Sequence, residues 1–470
     1  MNDDDILARI SGLTADSRMA RSGWLFAALP GTRSDGRMYI RDAIVNGAAV
    51  ILAPEGTVLP EDVLGDVRAM LVTDIDARGR FARLAARFYG RQPETVAAVT
   101  GTNGKTSCVT FAAQLWDMLG HTAASLGTLG IVSRITMKKG GLTTPDPVQL
   151  QAEMADLAAA GVTHLAMEAS SIGLDQRRLD GVRLKAAAFT NLSHDHLDYH
   201  GDMETYFAAK RRLFDVLLPQ DGVAVINTDD EWGVRLSGMV RQRQIRVGGD
   251  SGCEIRLVRQ IPSATGQVLE VVAEGRTHEI ALPLVGLFQG MNALAAAGLV
   301  MACDGVGFAQ LVPLLEKLHG VPGRLELVKG APVYVDYAHT PHGLETVLKA
   351  LRPHTSGRLV VVFGCGGDRD KGKRPVMGGI ATKLADLAII TDDNPRGEDA
   401  AKIRAEIRAG APNAAEIGDR RTAISEAVAG LEAGDVLVIA GKGHEQGQIV
   451  GDAVLPFDDV KEAEDAIHAL

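Results

Sequence analysis

The sequence predicts an α/β protein of three domains: a small N-terminal α/β domain, a central P-loop, ATPase-like domain, and a C-terminal Rossmann-like α/β domain. The central domain is built on a mostly parallel sheet with a small antiparallel excursion. Three observations carry this reading. A chain of 470 residues is longer than one core organises, since single cores stop growing beyond about 250–300 residues. From residue 95 onward short apolar runs alternate with helical segments, the pattern of parallel strands covered on both faces. Between Ile255 and Pro283 the pattern changes to β-branched alternation broken by turns at Ala264-Thr265-Gly266 and Glu274-Gly275, which predicts antiparallel strands.

Taken in order, residues 1–91 mix apolar runs (Trp24–Leu29, Ala48–Leu52) with glycine turns and end in a helical stretch, Ala77–Tyr89. The central block, 92–322, opens on the apolar strand Thr95–Val99, passes through a glycine loop and continues as a helix over Lys105–Leu119, stopped by Gly120. Thr163–Met167, Ala186–Phe189 and Val223–Ile226 are further buried-strand candidates. Gly320-Val321-Pro322-Gly323 is the best linker signal and opens the third block, 323–470. There Val333–Val335, Leu359–Phe363, Leu387–Ile390 and Val436–Ile439 read as strands. Open α/β sheets bind ligands at the carboxyl ends of their strands, so the residues after each strand are where chemistry is expected.

Composition narrows the function. With 49 basic and 59 acidic side chains the formal charge is −10, which excludes recruitment of nucleic acid or an anionic membrane by bulk charge. The four cysteines (Cys108, Cys253, Cys303, Cys365) form no C-x-x-C pair, so neither a disulfide framework nor a cysteine zinc site is expected. The N-terminus is acidic where a secretory signal would be basic, and no apolar run reaches the ~18 residues of a membrane span. The chain is therefore expected in the cytoplasm, with no nucleic-acid or membrane partner.

The strongest motif is Thr100-Gly101-Thr102-Asn103-Gly104-Lys105-Thr106-Ser107. It joins a predicted strand to a predicted helix, as a phosphate loop requires. Glycines let backbone N–H groups approach phosphate oxygens, Lys105 reaches the β/γ-phosphates, and the Thr106 hydroxyl helps hold Mg²⁺. The first glycine of the usual pattern is replaced by Val99.

His194 to Asp202 pack six oxygen or imidazole donors into nine positions. Such donors suit Mg²⁺ or Mn²⁺, although His196 and His200 at i,i+4 could also grip zinc, and a solvated helix cap is the plain alternative. Glu168 stands at a strand end and offers a second carboxylate. Lys210 falls on the apolar face of the helical stretch Tyr206–Leu218, with Arg212 pointing well away. It either snorkels, contacts phosphate, or is an amine made reactive by desolvation. In the third block the strand-end segments starting at Asp336, Gly364, Asp392 and Gly441 combine Arg, Lys and acidic side chains. A ligand carrying both carboxylate and ammonium groups needs such a mixture.

Together these motifs resemble the ATP-dependent Mur ligases of bacterial peptidoglycan precursor synthesis, over essentially the whole chain. Thr143-Thr144-Pro145 and Met167-Glu168-Ala169-Ser170-Ser171 are similar to the MurE-type branch, and Asp393-Asn394-Pro395-Arg396 resembles its signature for meso-2,6-diaminopimelate. The resemblance implies a monomeric acid–amino-acid ligase acting on small molecules, with ATP as co-substrate and two Mg²⁺ sites. It would add diaminopimelate to the D-glutamate γ-carboxylate of UDP-N-acetylmuramoyl-L-alanyl-D-glutamate through an acyl phosphate. The third block is expected to close over the second once ATP is bound.

Position by position, the resemblance implies that Gly101, Thr102, Asn103, Gly104, Lys105, Thr106 and Ser107 bind ATP together with Asn292, Arg324 and Asp336. Ser17, Thr32, Arg33 and Ser34 would hold the uridine nucleotide, and Thr143, Thr144, Ser170, Gln176 and Arg178 the muramoyl dipeptide. Thr106, Glu168 and His196 would bind metal, and Lys210 would be carbamylated (N6-carboxylysine). Arg369, Asp393, Asn394, Pro395, Arg396, Gly441 and Glu445 would recognise diaminopimelate. One position departs from the family pattern: Ile172 stands where a histidine usually follows the Glu-x-Ser-Ser segment. The competing expectations are a lysine-adding or folylpolyglutamate-type ligase, or a P-loop regulator that forms no amide.

Overall fold

The computed structural model describes residues 1–31, 34–60 and 69–470. These divide into two compact units, residues 1–253 with 295–306, and residues 254–294 with 307–470.

The first unit contains two sheets. The N-terminal one is fully parallel, in the order Gly12–Thr14, Trp24–Ala27, Val50–Pro54, Met70–Asp74. Its core is Leu25, Ala27, Val50 and Leu52, packed beneath Phe81, Leu84 and Ala85 of the helix Ala77–Tyr89. Asp76 caps that helix through Gly79 N–H, and Gly90 ends it in the left-handed conformation.

The second sheet of this unit carries six parallel strands in the order Arg243–Gly248, Val223–Asn227, Ala186–Phe189, Thr95–Thr100, His164–Glu168, Ala123–Gly127. Gly130–Ser133 and Met137–Lys138 extend it antiparallel. The strand 95–100 is central and all six of its residues are buried. It has a neighbour on each side, and helices cover the faces, so nothing but apolar and small side chains fits. Glu168 is the last residue of its strand, in register with Val99. This shifts the predicted strand by one residue and places Glu168 at the carboxyl end of the strand beside the one that leads into the phosphate loop.

The predicted helix over Tyr206–Leu218 is two pieces: an α-helix, Met203–Arg212, followed by one wider turn, Leu213–Leu217, in which Leu218 N–H reaches Leu213 C=O. Lys210 does fall on the buried face. Arg212 turns away from that face, and its mostly buried guanidinium forms a bidentate pair with Asp180. The helix is therefore packed on two sides, which a single apolar stripe does not reveal.

In the second unit the predicted antiparallel excursion is a three-stranded meander, Ile255–Ser263, Gly266–Ala273, Arg276–Leu282. Its larger sheet runs Val333–Asp336, Val436–Ala440, Leu359–Phe363, Leu387–Ile390, all parallel, with short edge strands at Glu326–Leu327 and Ala415–Glu416. Helices on both faces bury it, one face against Leu344, Leu348, Met377 and Ile407, the other against Ile424, Val428 and Ala463. Among the described residues one helix, Leu287–Asp304, is long and apolar enough to cross a membrane by length and composition, and two-thirds of it is buried inside the protein.

Candidate active site

The phosphate loop sits between the carboxyl end of the 95–100 strand and the helix Lys105–Met118. Gly104 (φ 85°) and Gly101 (φ 146°) both adopt backbone open to glycine. A Cβ at Gly101 would also lie 1.9 Å from Thr190 Oγ1. The loop is held from the adjacent strand end: Thr190 Oγ1 donates to Asn103 C=O at 2.6 Å, Thr102 N–H donates to Asn191 C=O at 2.9 Å, and Asn103 N–H donates to Asn191 Oδ1 at 3.0 Å. Lys105 Nζ donates to the carbonyls of Gly101 and Thr102, both at 2.9 Å. The ammonium is thus folded onto the rim of the loop. Thr106 and Ser107 are buried in the first turn of the helix, where the backbone dipole favours an anion.

A second cluster forms around Glu168. Its carboxylate accepts from Thr128 N–H (2.8 Å) and Thr128 Oγ1 (3.2 Å). A Cβ on Gly127 would fall 2.2 Å from Glu168 Oε1, so the carboxylate fills a cradle that only glycine leaves open. Thr128 Oγ1 lies 3.1 Å from Thr143 Oγ1. Thr144 Oγ1 donates to Glu168 C=O and accepts from Ser170 N–H, both at 3.0 Å. Arg178 donates to Thr144 C=O at 2.6 Å and to Gln176 Oε1 at 2.7 Å. One hydrogen-bonded chain therefore gathers Thr143, Thr144, Glu168, Ser170, Gln176 and Arg178, which are up to 35 positions apart in sequence. Burial lowers the Arg178 pKa, and Asp146 and Tyr199 oppose that shift.

Lys210 is 1% exposed. Its Nζ donates to Gly101 C=O at 2.7 Å and lies 4.5 Å from the centroid of the Tyr206 ring. Burial, and then the positive charge of Lys105, hold its pKa well below that of an ordinary lysine, with Asp195 acting in the opposite direction. A neutral amine is accordingly more accessible here than on a surface lysine. Tyr206 Oη in turn is 3.2 Å from Thr102 Oγ1, so the lysine helix is tied to the phosphate loop at two points.

The histidine-rich segment resolves into distinct roles. Asp202 caps the 203–212 helix through Thr205 N–H. His196, at φ 52°, precedes the short helix Leu197–His200 and keeps a half-exposed ring, 6.2 Å from the Tyr206 ring. His200 is buried, with Nε2 3.0 Å from Ser171 Oγ. Its imidazole is thus engaged with the segment that carries Ile172, and the two histidines do not form a jaw. Ile172 itself is half-buried within the helix Ser171–Asp175.

The nucleotide-sugar candidates lie in the N-terminal sheet region. Ser17 is buried at the start of a 3₁₀ turn capped by Asp16, with its C=O accepting from Asn46 Nδ2. Ser34 is exposed, and its C=O accepts from Gly31 N–H. Thr32 and Arg33 lie outside the described residues.

The second unit brings together two groups. Asp336, at a strand end, accepts from Leu325 N–H and Ala338 N–H, each at 2.8 Å, and burial pushes its pKa up to about 6. Arg324 lies over the Tyr337 ring at 4.7 Å. Its C=O accepts from Gln289, whose Oε1 accepts from Asn292 Nδ2 at 2.9 Å. Gln289 and Arg324 also line a cavity of about 500 Å³. In the other group Asn394 Nδ2 donates to Glu445 Oε2 at 3.0 Å, while Lys442 Nζ donates to Asn394 Oδ1 at 2.8 Å. The same ammonium lies 3.7 Å from Asp393 and 3.6 Å from Glu445. Arg396 takes a left-handed φ of 51°, and its Nη1 donates to Gly367 C=O at 2.9 Å. Pro395 is buried, Arg369 exposed, and a Cβ on Gly441 would press on Asp393 Oδ2 at 2.8 Å.

Three family models match in sequence along the chain: "Mur ligase family, catalytic domain" over residues 9–89, "Mur ligase middle domain" over 99–300, and "Mur ligase, glutamate ligase domain" over 323–443. The chain belongs to the Mur ligase family. A UDP-N-acetylmuramoyl-L-alanyl-D-glutamate–2,6-diaminopimelate ligase of Caulobacter vibrioides is 54% identical, over 98% of this chain and 96% of its own. A ligase of the same name from Agrobacterium fabrum is 52% identical, over 98% and 94%. A solved structure of a ligase with that name superposes with a TM-score of 0.72 at 35% identity, covering 98% and 95% of the two chains. A MurF ligase from Thermotoga maritima in complex with ADP shares the fold, at TM-score 0.64 and 19% identity over the full length of both.

Several groups of this Mur ligase chain escaped the sequence reading. Thr128 clasps Glu168 with two donors but looks like an ordinary turn residue. Lys442 was visible only as one residue of a Gly-Lys-Gly turn, yet it is fully buried beneath the Asp393, Asn394 and Glu445 cluster. Arg420 and Asp459 form a bidentate pair at 2.7 Å, both fully buried, and Arg420 Nη2 also donates to Ala440 C=O. That pair braces the strand end leading into Gly441. No local pattern announces it, because the partners are 39 residues apart.

Proposed function

We propose that the chain is an ATP-dependent ligase that joins meso-2,6-diaminopimelate to the D-glutamate γ-carboxylate of UDP-N-acetylmuramoyl-L-alanyl-D-glutamate, in peptidoglycan precursor synthesis. The observation that carries this reading is near-complete overlap with ligases of that name at 54% and 52% identity. The strand-end clusters supply the chemistry it needs: a phosphate loop with its lysine, a buried carboxylate beside it, and a mixed-charge cluster in the other unit.

A carboxylate is a poor acyl donor, so the γ-carboxylate oxygen first attacks the γ-phosphorus of ATP, and ADP leaves. A diaminopimelate amine then attacks the carbonyl carbon of the acyl phosphate. The tetrahedral intermediate expels phosphate and the nitrogen loses its proton, leaving the amide. Lys105 leaves the Gly101 and Thr102 carbonyls to meet the transferring phosphoryl group. The N-terminus of the 105–118 helix offsets negative charge on the phosphates. Thr144, Ser170, Gln176 and Arg178 orient the dipeptide, and Arg178, constrained by Gln176 and Thr144, presents its guanidinium to a carboxylate.

Two Mg²⁺ ions belong to this reading. The hydroxyl of Thr106 and the cradled carboxylate of Glu168 are hard oxygen donors that fit Mg²⁺, and His196 adds one imidazole. When bound, Mg²⁺ would neutralise phosphate charge. Lys210 is assigned as a carbamylated residue: its neutral Nζ adds to the carbon of CO₂ and releases one proton, giving an anionic carbamate beside Gly101. Asn292, Arg324 and Asp336 are assigned to the nucleoside and phosphates of ATP, and Ser17, Thr32, Arg33 and Ser34 to the uridine nucleotide. Arg369, Asp393, Asn394, Pro395, Arg396, Gly441 and Glu445 are assigned to diaminopimelate. The functional division follows residues 1–91, 92–322 and 323–470.

The test is phosphate release in the presence of ATP and the UDP-dipeptide, with meso-diaminopimelate, its LL isomer and L-lysine as separate acceptors. Release dependent on both dipeptide and the meso acceptor is expected. Preference for L-lysine would overturn the acceptor assignment, and turnover indifferent to any amine would overturn the ligase.

A further inference from the structure

At the amino ends of the strands in the first unit's parallel sheet, away from the phosphate loop, three side chains converge that the ligase reaction does not use. His164 opens the strand whose other end is Glu168, about 13 Å away at ~3.3 Å per residue. His121 follows the helix Lys105–Met118, and Asp304 ends the helix Leu287–Asp304. His164 Nε2 lies 3.1 Å from Asp304 Oδ1, and His121 Nε2 lies 3.8 Å from Asp304 Oδ2. One donor atom from each of the three residues falls within 4.8 Å of the others.

We propose that His121, His164 and Asp304 form a non-catalytic site for a divalent transition-metal cation of the zinc or cobalt type, with two imidazole nitrogens and one carboxylate oxygen as ligands and water as the fourth. Metal–ligand bonds of about 2.0–2.1 Å in a tetrahedron separate adjacent donors by roughly 3.3 Å, and His164 Nε2 already stands 3.1 Å from Asp304 Oδ1. Imidazole with carboxylate is the donor set that selects zinc-like ions over Mg²⁺.

The surrounding groups orient the ligands as a metal site requires. Thr163 Oγ1 is 2.9 Å from His164 Nδ1. Coordination at Nε2 places the ring hydrogen on Nδ1, where the hydroxyl oxygen accepts it. Trp116 Nε1 donates to Asp304 Oδ2 at 2.8 Å and fixes the carboxylate. Two of the ligands sit at helix carboxyl termini, Asp304 as the last residue of its helix and His121 three residues after Met118. The dipoles of those helices favour a cation, as the amino terminus at Lys105 favours an anion at the other ends of the strands.

The two imidazoles are stacked, 3.9 Å between centroids and 34° between planes, so one must turn to aim its nitrogen at the ion. His121 is the one free to do so, at 36% side-chain exposure against 8% for His164. The bound cation would fasten the end of the 287–304 helix to the sheet, which makes its effect one on stability rather than on turnover.

The probe is Co²⁺, titrated into the full-length protein in excess Mg²⁺ and followed by its visible d–d absorption, with thermal unfolding measured in parallel. Wild type should develop the intense bands of a four-coordinate ion and gain unfolding temperature. His121→Ala and Asp304→Asn should each weaken that binding by at least about tenfold, the loss caused by removing even an outer-sphere partner. Asp304→Asn retains an acceptor for Trp116, so a folded protein is expected. Both variants should keep phosphate release at the wild-type rate. Identical titrations and identical metal-induced shifts in wild type and both variants would overturn the proposal, leaving a hydrogen-bonded triad only.

Discussion

Replacing Lys442 by Met removes one positive charge while nearly conserving volume, and it tests whether the cluster of Asp393, Asn394 and Glu445 is held together by that ammonium. Lys442 is fully buried and donates to Asn394 Oδ1 at 2.8 Å, with carboxylates of Asp393 and Glu445 at 3.7 and 3.6 Å. At an effective dielectric constant of ~20 each of those pairs is attractive by about 4–5 kcal/mol before desolvation is charged against it. Desolvation is the larger influence on the ammonium itself, since burial lowers its pKa while Asp393 and Glu445 act to raise it. The net worth is therefore nearer that of a single hydrogen bond to a charged group, about 1.5–3 kcal/mol. Asn394 Oδ1 keeps Ile449 N–H as a donor at 2.9 Å, so the side chain is not orphaned; what is lost is the countercharge between two carboxylates. If the cluster binds the amino acid, an energy of that size corresponds to a rise of about 10- to 150-fold in the diaminopimelate KM. The KM for ATP should change by less than about threefold. Steady-state phosphate release with each substrate varied in turn measures both. Unchanged diaminopimelate KM in a protein that unfolds at the wild-type temperature would refute the reasoning, because the ammonium would then hold nothing that matters to the acceptor.

Three further outcomes are expected. Lys105→Ala should abolish phosphate release yet leave the circular-dichroism spectrum and unfolding midpoint intact; retained turnover would remove the phosphate-loop assignment. Arg396→Ala and Arg396→Lys should each raise the diaminopimelate KM far more than the ATP KM, and equal changes would argue against a carboxylate clamp at this left-handed residue. Asp336 has a folded-state pKa of about 6, raised from 3.8 by burial. The folded state therefore binds the extra proton, and stability falls as pH rises from about 4 to about 6. Asp336→Asn should flatten that part of a pH series of urea unfolding curves, and an unaltered slope would show the carboxyl to be ordinary.

Much of this was legible because it is local. The 95–107 segment declares a strand, a glycine loop and a helix start within thirteen residues, and each feature is set by backbone chemistry acting over a few bonds. Glu168 and the Asp393–Arg396 run could be singled out because they follow apolar strands, and Lys210 because helical spacing put it on an apolar face. The same spacing turned Arg212 away from that face, but a helix wheel carries one stripe and cannot announce that Asp180 waits on the other side.

The sequence by itself determined the fold class, the loop that can cradle phosphate, and which strand ends carry charge. Only the tertiary structure decided which of those charges meet. Thr128 on Glu168, Lys210 on Gly101, and Lys442 among Asp393, Asn394 and Glu445 all join segments separated by 40 or more residues, except for the neighbouring Glu445. The physical reason is that strand order is not chain order. The 95–100 strand lies between 186–189 and 164–168, so the loop's neighbours are chosen by sheet pairing and by the buried surface it creates. A buried polar group must find its partner wherever that pairing delivers one.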